Sequence, residues 1–303
     1  MTGNPIARTA EQSELGEGVR WDDRRAELLR VDILRGQVYR DTVTDDGALI
    51  PVQTHRVSGT VGAVAPIHDD EGWLLATDQG FGYLRPDGTL RALGDVAPDW
   101  SRMNDAACDP QGRFWAGTVA YDQRPGGGSL YRLNSAGKTE VMLDGLTTSN
   151  GLGWSPDNRT MYLIDSGPGV IHAFDFDPDE GTIANARPLV EVSSEIGSPD
   201  GMTVDANGDL WVAIYGGGRV QRYSPAGALR EEFFAPAEQT TCCAFGGPGL
   251  HQLYVTTATE HWTDEQRRAQ PAAGLVYSFE TDATGVPAAR FRPDPIWWAD
   301  VVS

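Results

Sequence analysis

Four polar residues lie in apolar or glycine-rich surroundings and are of a type that could bind a metal ion. They are Glu17 in Leu15-Gly-Glu-Gly18, Asn104 in Arg102-Met-Asn-Asp105, Asn150 in Ser149-Asn-Gly151 and Asp200 in Pro199-Asp-Gly201. Two carboxylates and one or two amide oxygens form an all-oxygen set that suits a hard divalent cation. Asn-Gly and Asp-Gly steps are also common in turns, so any one of these alone is better explained as a turn. Their recurrence at the same phase of four repeated units favours the metal site.

The repeated unit is a turn rich in Asp, Pro and Gly, followed by a short apolar strand with an aromatic residue and then by another strand. Its two clearest copies are Asp109-Pro-Gln-Gly-Arg-Phe-Trp115 and Asp205-Ala-Asn-Gly-Asp-Leu-Trp211, which align residue for residue. Weaker copies place Leu29, Leu74, Tyr162 and Tyr254 at the position of the tryptophans. Consecutive copies are about 41 to 49 residues apart, which is typical of four-stranded propeller blades.

We therefore predict an all-β fold, a six-bladed β-propeller with four-stranded antiparallel blades, as a single domain over residues 1–303. The aromatic residue of each inner strand should lie between blades. Inner strands line the axis of a propeller, so the four polar residues, each just before the innermost strand of its unit, should converge on a central site. The segment Ile6–Ala10 is expected to close the ring by adding a strand beside Leu275–Phe279.

Three further segments carry local predictions. Residues 260–270 contain good helix formers after a capping candidate, Thr263, and are interpreted as a surface insertion. The run Asp175–Gly181 lacks the glycine and glutamate of a calcium loop, which favours a hairpin turn. The apolar tail 296–303 is expected either to pair as an edge strand or to bind a partner.

Composition limits the partners and the compartment. The chain has 43 acidic and 24 basic residues, and its net charge of −19 disfavours nucleic acid and anionic membranes as partners. Cys108 stands alone and Cys242 adjoins Cys243, which predicts no disulfide framework and a reducing compartment. No signal-peptide pattern or long apolar run is present, so a cytoplasmic protein is expected, and a monomer because propellers close on themselves.

Most standard catalytic signatures are absent: there is no G-x-S-x-G elbow, H-E-x-x-H motif, Walker loop or G-x-G-x-x-G turn. The five histidines share no metal-ligand spacing and are not expected to be ligands. These absences disfavour serine hydrolases, zinc proteases and nucleotide-dependent enzymes.

The motifs quoted above, in this order and at blade spacing, carry a family resemblance. With Cys243-Ala-Phe-Gly-Gly247, they make the chain resemble the SMP-30, gluconolactonase and luciferin-regenerating enzyme family over almost its whole length. The resemblance implies a six-bladed propeller whose metal is held by Glu17, Asn150 and Asp200, with Asn104 near the metal and the substrate. It also implies that Arg102 and Asn104 contact the substrate, a small lactone.

One position departs from the family pattern. Several sugar lactonases of the family carry Glu after Gly-Thr-Met-Ala, whereas this chain has Gly117-Thr-Val-Ala-Tyr121. A carboxylate that could accept sugar hydroxyls is thus replaced by a phenol, and Tyr121 is expected to contact the substrate. Either Asp122 substitutes for the missing carboxylate or the ligand carries fewer hydroxyls.

The expected chemistry is opening of a sugar-type lactone by metal-activated water. A divalent cation there (Ca, Mg, Mn, Fe(II) or Zn) would polarise the carbonyl and acidify a bound water. Asp200 is the candidate catalytic base, and Arg102 is expected either to orient the ring oxygens or to form a salt bridge with Asp105 or another acid. Two alternatives stay open: hydrolysis of another lactone or ester, and a non-catalytic calcium-binding propeller.

Overall fold

In the computed structural model, which describes residues 5–44 and 47–303, the chain forms six four-stranded antiparallel sheets arranged as a six-bladed β-propeller. The predicted fold is therefore confirmed. The first three blades contain β2 (Gly16–Asp22), β3 (Glu27–Asp32), β4 (Gln37–Val43) and β5 (Leu49–Arg56); β6 (Val61–Pro66), β7 (Trp73–Thr77), β8 (Gly80–Leu84) and β9 (Leu90–Asp95); and β10 (Ser101–Cys108), β11 (Phe114–Ala120), β12 (Gly128–Leu133) and β13 (Thr139–Leu146).

The remaining blades follow the same order along the chain. They contain β14 (Ser149–Trp154), β15 (Thr160–Asp165), β16 (Val170–Asp177) and β17 (Thr182–Glu191); β18 (Ser198–Val204), β19 (Leu210–Tyr215), β20 (Arg219–Tyr223) and β21 (Leu229–Phe234); and β22 (Thr240–Gly246), β23 (Gln252–Thr257), β24 (Tyr277–Glu280) and β1 (Ile6–Ala7). The hairpin between β16 and β17 confirms a turn at Asp175–Gly181. A 3₁₀ turn at Pro248–Leu250 joins β22 to β23.

The inner two strands of each blade are mostly buried, and burial is most complete on the second strand. The strands β3, β7 and β11 are buried along their whole length, because neighbouring blades cover both faces, whereas the outermost strand β17 is mostly exposed. The aromatic residues of the repeat lie on the second strand of their blades, not on the innermost strand as predicted. They still lie between blades: Trp115 on β11 packs edge-on against Trp154 on the innermost strand of the next blade, with ring centroids 6.1 Å apart.

The aspartate of the repeat has a structural role in the two clearest copies. The Oδ1 atom of Asp109 accepts hydrogen bonds from two backbone N–H groups of its own turn, and Oδ2 accepts one from the Trp115 indole nitrogen at 2.9 Å. Asp205 makes the same contacts, with 3.0 Å to the Trp211 indole. Both carboxylates are fully buried. The repeated aspartate thus holds the turn together, and its hydrogen bond with the tryptophan anchors that turn to the second strand.

The first and last parts of the chain meet in one blade. Ile6 pairs with Ser278 and Ala7 with Tyr277, so β1 is the outermost strand of the blade formed by β22, β23 and β24. This pairing confirms the predicted ring closure by the N-terminal segment. It makes the closure a hydrogen-bonded one.

The structure describes two short helices outside the blades. The insertion contains α1 (Asp264–Ala269), capped by Thr263 through a capping box with Gln266, as predicted. The tail forms α2 (Pro295–Val302), so the first of its two predicted alternatives, an edge strand, is wrong. The helix packs on the second blade: the ring of Trp298 lies 4.8 Å from that of Tyr83. No helix in the described ranges is long and apolar enough to cross a membrane.

Candidate functional site

The innermost strands share an irregularity that positions the candidate site. Pairing with the second strand skips two residues in five blades, between Glu17 and Arg20, Met103 and Ala106, Ser149 and Leu152, Pro199 and Met202, and Thr240 and Cys243. Such bulges redirect side chains that would otherwise face a neighbouring strand. Asn104, Asn150 and Asp200 lie inside the skipped pairs, and Glu17 lies directly before one.

The four predicted donors thus lie within innermost strands, not just before them. All four are buried, with exposed fractions of 5% for Glu17, 7% for Asn104, 6% for Asn150 and 7% for Asp200. They lie near one another. The Asp200 carboxylate raises the pKa of Glu17, and Ser166 accepts from the Asn150 Nδ2 and donates to the backbone oxygen of Pro199, the residue before Asp200. The Asn104 Nδ2 donates at 3.0 Å to the backbone oxygen of Ser149, the residue before Asn150. We call these four residues the donor site.

The glycines that follow two donors explain the Asn-Gly and Asp-Gly steps. A Cβ atom at Gly151 would lie 2.7 Å from the backbone oxygen of Asp200, and one at Gly201 would lie 2.7 Å from the Cα of Cys242, each in the next blade. The glycines therefore permit innermost strands to approach closely. Gly151 and Gly201 lie within β14 and β18, so the alternative of turns is wrong.

Burial and crowding of like charges dominate the electrostatics of the donor site. Burial raises the pKa of Glu17 well above its ordinary value, and the Asp200 and Asp105 carboxylates raise it further. The pKa of Asp200 is likewise raised by burial and then by Asp105, whereas its hydrogen bond with Asn150 lowers it. Asp105 has a pKa of about 6, raised by burial against the opposing charge of Arg20.

The amide of Asn150 provides a test of whether a cation fits. Its Nδ2 donates to Ser166 Oγ at 3.0 Å, and Ser166 in turn donates to the backbone oxygen of Pro199 at 2.6 Å. The Oδ1 atom of Asn150 is buried and accepts no hydrogen bond from the described residues. A buried acceptor without a donor is costly. With two buried carboxylates nearby, this oxygen fits a divalent cation.

Among the described residues, no three side chains of the types His, Cys, Asp and Glu are grouped so that they could hold a metal ion. The donor site has two residues of these types, Glu17 and Asp200, and its other two members are the amides of Asn104 and Asn150. The predicted set Glu17, Asn150 and Asp200 thus stays a prediction, supported by its convergence.

Arg102 is directed to Asn104. Its Nη1 donates to the Oδ1 of Asn104 at 2.7 Å and to the backbone oxygen of Met103 at 3.1 Å. No ion pair within 4.0 Å involves Arg102 in the described chain, so the alternative of a salt bridge to Asp105 is not realised. Burial lowers the pKa of Arg102, although Glu260 and Glu17 oppose that change. A buried guanidinium without a carboxylate partner is suited to a polar ligand.

The segment after β11 lies at the edge of the site. Tyr121 is 58% exposed and close enough to Arg102 to raise the pKa of the guanidinium. Asp122 forms a 3.0 Å ion pair with Arg124, whose guanidinium stacks 4.0 Å from the ring of Trp100. Asp122 is therefore engaged elsewhere, which disfavours it as a substitute for the missing carboxylate.

Glu260 was not predicted as a site residue, because it falls in the stretch 260–270 that was interpreted as a surface insertion. Glu260 raises the pKa of both Arg102 and Asp200, and the N–H of the preceding Thr259 donates at 2.9 Å to the backbone oxygen of Glu14, three residues before Glu17. Glu260 therefore lies near the donor site. Antiparallel order supplies the signal that could have found it. The donors lie at or near the start of the innermost strands. Because the second strand of a blade is antiparallel to the first, it ends on the side where the first one starts. Residues just after the second strands, such as Tyr121, Ser166 and Glu260, therefore form the rim of the donor site.

A cavity of about 800 Å³ lies in the central channel of the propeller, along the part of the innermost strands that follows the donor site. Arg20 and Asp105 line it, and residues 286–290 of the C-terminal segment border it. Arg20 donates to the backbone oxygen of Ala106 at 2.8 Å and so links the first and third blades across the channel.

Known proteins resemble this chain in sequence and in fold. The family described as "SMP-30/Gluconolactonase/LRE-like region" matches residues 15–259. The putative sugar lactone lactonase YvrE of Bacillus subtilis is 36% identical over 283 residues, which cover 92% of this chain and 96% of YvrE. Regucalcin of Xenopus laevis is 36% identical over 277 residues, covering 88% of this chain and 91% of its own.

A solved structure agrees with these relatives. Regucalcin of Agrobacterium tumefaciens, described as a calcium-binding protein, superposes with a TM-score of 0.89 at 27% identity and covers 96% of this chain and 98% of its own. The donor motifs, the propeller and these matches agree over nearly the whole chain. The protein belongs to the SMP-30/gluconolactonase/LRE-like family.

Proposed function

We propose that this protein is a divalent-metal-dependent lactonase that opens a small sugar-type lactone. The observation that carries the proposal is the convergence of buried oxygen donors from four blades, with the Asn150 Oδ1 lacking a hydrogen-bond donor. Membership of a gluconolactonase-like family supports the same reaction.

Glu17, Asn150 and Asp200 would hold the metal, with Asn104 beside it. When bound, a divalent cation supplies polarisation of the lactone carbonyl and a more acidic water. Oxygen donors accept Ca, Mg, Mn, Fe(II) or Zn, depending on geometry and supply. The proposal is one divalent ion of this group.

The chain's own residues bind the lactone and move protons. Arg102 and Asn104 position the lactone oxygens, and Tyr121 borders the ring from the exposed rim. Asp200 accepts a proton as the water oxygen bonds to the carbonyl carbon. When the ring C–O bond breaks, that proton passes to the leaving ring oxygen, and the product is a hydroxy acid.

Proton release during hydrolysis tests the proposal. Wild-type protein of defined metal content is expected to hydrolyse members of an aldonolactone panel faster than the spontaneous rate. Asp200→Asn should lower kcat/KM by about 10²- to 10⁴-fold, because it removes the base and a metal donor. Asp95→Asn is the matched control, an exposed aspartate on the outermost strand β9.

Absence of turnover on every lactone, with metal bound at one ion per chain, would overturn the lactonase proposal. It would favour hydrolysis of another ester or a calcium-binding role, as in the description of the Agrobacterium regucalcin.

We also propose that the protein acts as a monomer in a reducing cytoplasm; its three cysteines are all free and buried.

A further inference from the structure

The backbone of Glu260 is held in place at the rim of the donor site. The side-chain amide of Gln239 makes two hydrogen bonds to it: Oε1 accepts from the Glu260 N–H at 2.8 Å, and Nε2 donates to the Glu260 carbonyl at 3.1 Å. One residue thus satisfies both polar groups of the Glu260 backbone. Such a double contact fixes where the Glu260 side chain begins.

The carboxylate of Glu260 is also oriented. Tyr215 donates its phenol hydrogen to Oε2 at 3.2 Å, and burial raises the pKa of Tyr215, so that hydrogen is retained. The other oxygen, Oε1, lies 3.7 Å from the exposed His261 ring, beyond hydrogen-bond distance. The side chain is 19% exposed. Glu260 therefore retains acceptor capacity at a solvent-accessible edge of the site.

The Glu260 carboxylate has no Arg or Lys partner within 4.0 Å in the described chain. It is close enough to Arg102 to raise the pKa of that guanidinium, but it forms no ion pair with it. An oriented carboxylate that lacks a cationic partner at the edge of a polar site is suited to binding a ligand.

The chemistry of a carboxylate indicates its ligand. Ionised carboxylates only accept hydrogen bonds, and their bonds from hydroxyl groups are short and strong. At the same rim Tyr121 offers no carboxylate, and Asp122 is paired with Arg124. We propose that Glu260 is a substrate-binding residue that accepts hydrogen bonds from hydroxyl groups of a polyhydroxylated lactone ring. This role rests on the proposed lactonase function and would set a preference for hydroxylated over plain lactones.

Two six-membered lactones, with and without hydroxyl groups, test this role. Glu260→Gln keeps an oxygen that can accept from Tyr215 but loses the charge. The ratio of kcat/KM for D-glucono-δ-lactone to that for δ-valerolactone should fall about 10- to 100-fold, mainly through KM of the hydroxylated ring. The matched control is Glu265→Gln, an exposed glutamate in α1 of the same insertion, which should keep the wild-type ratio.

Binding without turnover provides a second readout. D-Gluconolactam has an amide in place of the lactone ester, so it serves as a ligand that is not turned over. Calorimetry should show that its affinity is at least about tenfold weaker for Glu260→Gln than for wild type. δ-Valerolactam serves as the ring without hydroxyls. Bound metal, measured by atomic emission, should be equal in both proteins.

The two proposals fail in different ways. If the wild type hydrolyses neither lactone, the lactonase proposal is wrong, and gluconolactam binding alone decides the role of Glu260. Equal gluconolactam affinity in wild type and Glu260→Gln would overturn the role. So would a fall in kcat/KM of the same size for both lactones, or loss of metal in the variant, because these indicate a structural or metal-binding residue.

Discussion

At the scale of single residues, the donor site shows how a buried polar group is tolerated. The hydrogen bond from Asn150 to Ser166 orients the amide, and it leaves the Asn150 Oδ1 buried without a donor. Among the described residues, the Glu17 carboxylate accepts a hydrogen bond only from the Gly18 N–H, at 2.8 Å. These unsatisfied acceptors lower stability in the absence of a cation, and they are the features that a cation would use.

A buried histidine far from this site gives a pH prediction at the same scale. His55 lies on β5, with its ring 5.6 Å from that of Trp73 and its Nε2 buried without a hydrogen-bond partner among the described residues. Burial lowers the pKa of His55, Arg40 lowers it further, and Asp87 opposes them. The folded state therefore stays neutral at a pH where the unfolded imidazole takes up a proton.

Protonation thus favours the unfolded state below about pH 6.5, the ordinary value for histidine. The stability contributed by the neutral ring is complete above this pH and is lost as the pH falls through it. We expect urea unfolding between about pH 7 and 5 to show a steeper loss of free energy in wild type than in His55→Gln. His261→Gln, a change at an exposed ring, should follow the wild type; parallel curves for wild type and His55→Gln would contradict the assignment.

At the scale of elements, one repeated turn determines the position of each second strand. In the third and fifth blades the buried aspartate joins the turn to the tryptophan of the strand. In the fourth blade Ser155 takes the place of this aspartate, and its Oγ accepts from the Thr160 N–H at 2.9 Å. Asp157, two residues further along the same turn, is exposed and accepts from Ser155 and Arg159. The aspartates of these turns are thus buried in two blades and exposed in another.

The difference in burial between Asp109 and Asp157 predicts unequal effects when each is replaced by alanine. Asp109→Ala leaves the Trp115 indole N–H and two backbone N–H groups without an acceptor, so we expect the free energy of unfolding to fall by about 2–4 kcal/mol. Asp157→Ala removes only exposed contacts and should cost under about 1 kcal/mol. Urea unfolding of both variants measures this, and equal losses would show that the buried turn has no special role.

At the scale of the whole molecule, residues distant in sequence complete the ring. The N-terminal β1 closes the last blade. The C-terminal segment runs across several blades and forms β-bridges from Gly285 to Asp205 and from Phe291 to Ile67. The tail ends in α2 against the second blade, where the Trp298 indole donates to Asp70 at 3.0 Å. The segment after β24 therefore connects blades that are not adjacent in sequence.

Two large apolar residues of α2 differ in burial, so their substitutions show how much the packing of the tail contributes to stability. Trp298 is 8% exposed and contacts Tyr83 and Phe291, so Trp298→Ala should lower the free energy of unfolding by about 3–5 kcal/mol. Ile296 is 83% exposed, and Ile296→Ala should change it by less than about 0.5 kcal/mol. Thermal and urea unfolding provide the measurement; a stability of Trp298→Ala close to wild type would mean that the tail is dispensable.

The sequence alone determined the blade repeat, the closing strand at Ile6, the cap at Thr263 and which four polar residues come together near the axis. These features depend on short-range patterns or on exact repetition, and both can be recognised without knowledge of distant contacts. The roles of Glu17, Asn150 and Asp200 at a metal, of Asp200 as base and of Arg102, Asn104 and Tyr121 at the substrate stay predictions. So does the single domain over 1–303.

Only the tertiary structure decided the rest. It assigned the aromatic residues to second strands, located the donors at bulges and packed the tail as a helix. It also brought Glu260 beside Arg102 and Asp200, although these residues are far apart in sequence. The physical reason is that bulges, close strand approach and rim contacts arise between blades. A local pattern encodes the blade, and the packing of six blades around one axis creates the site.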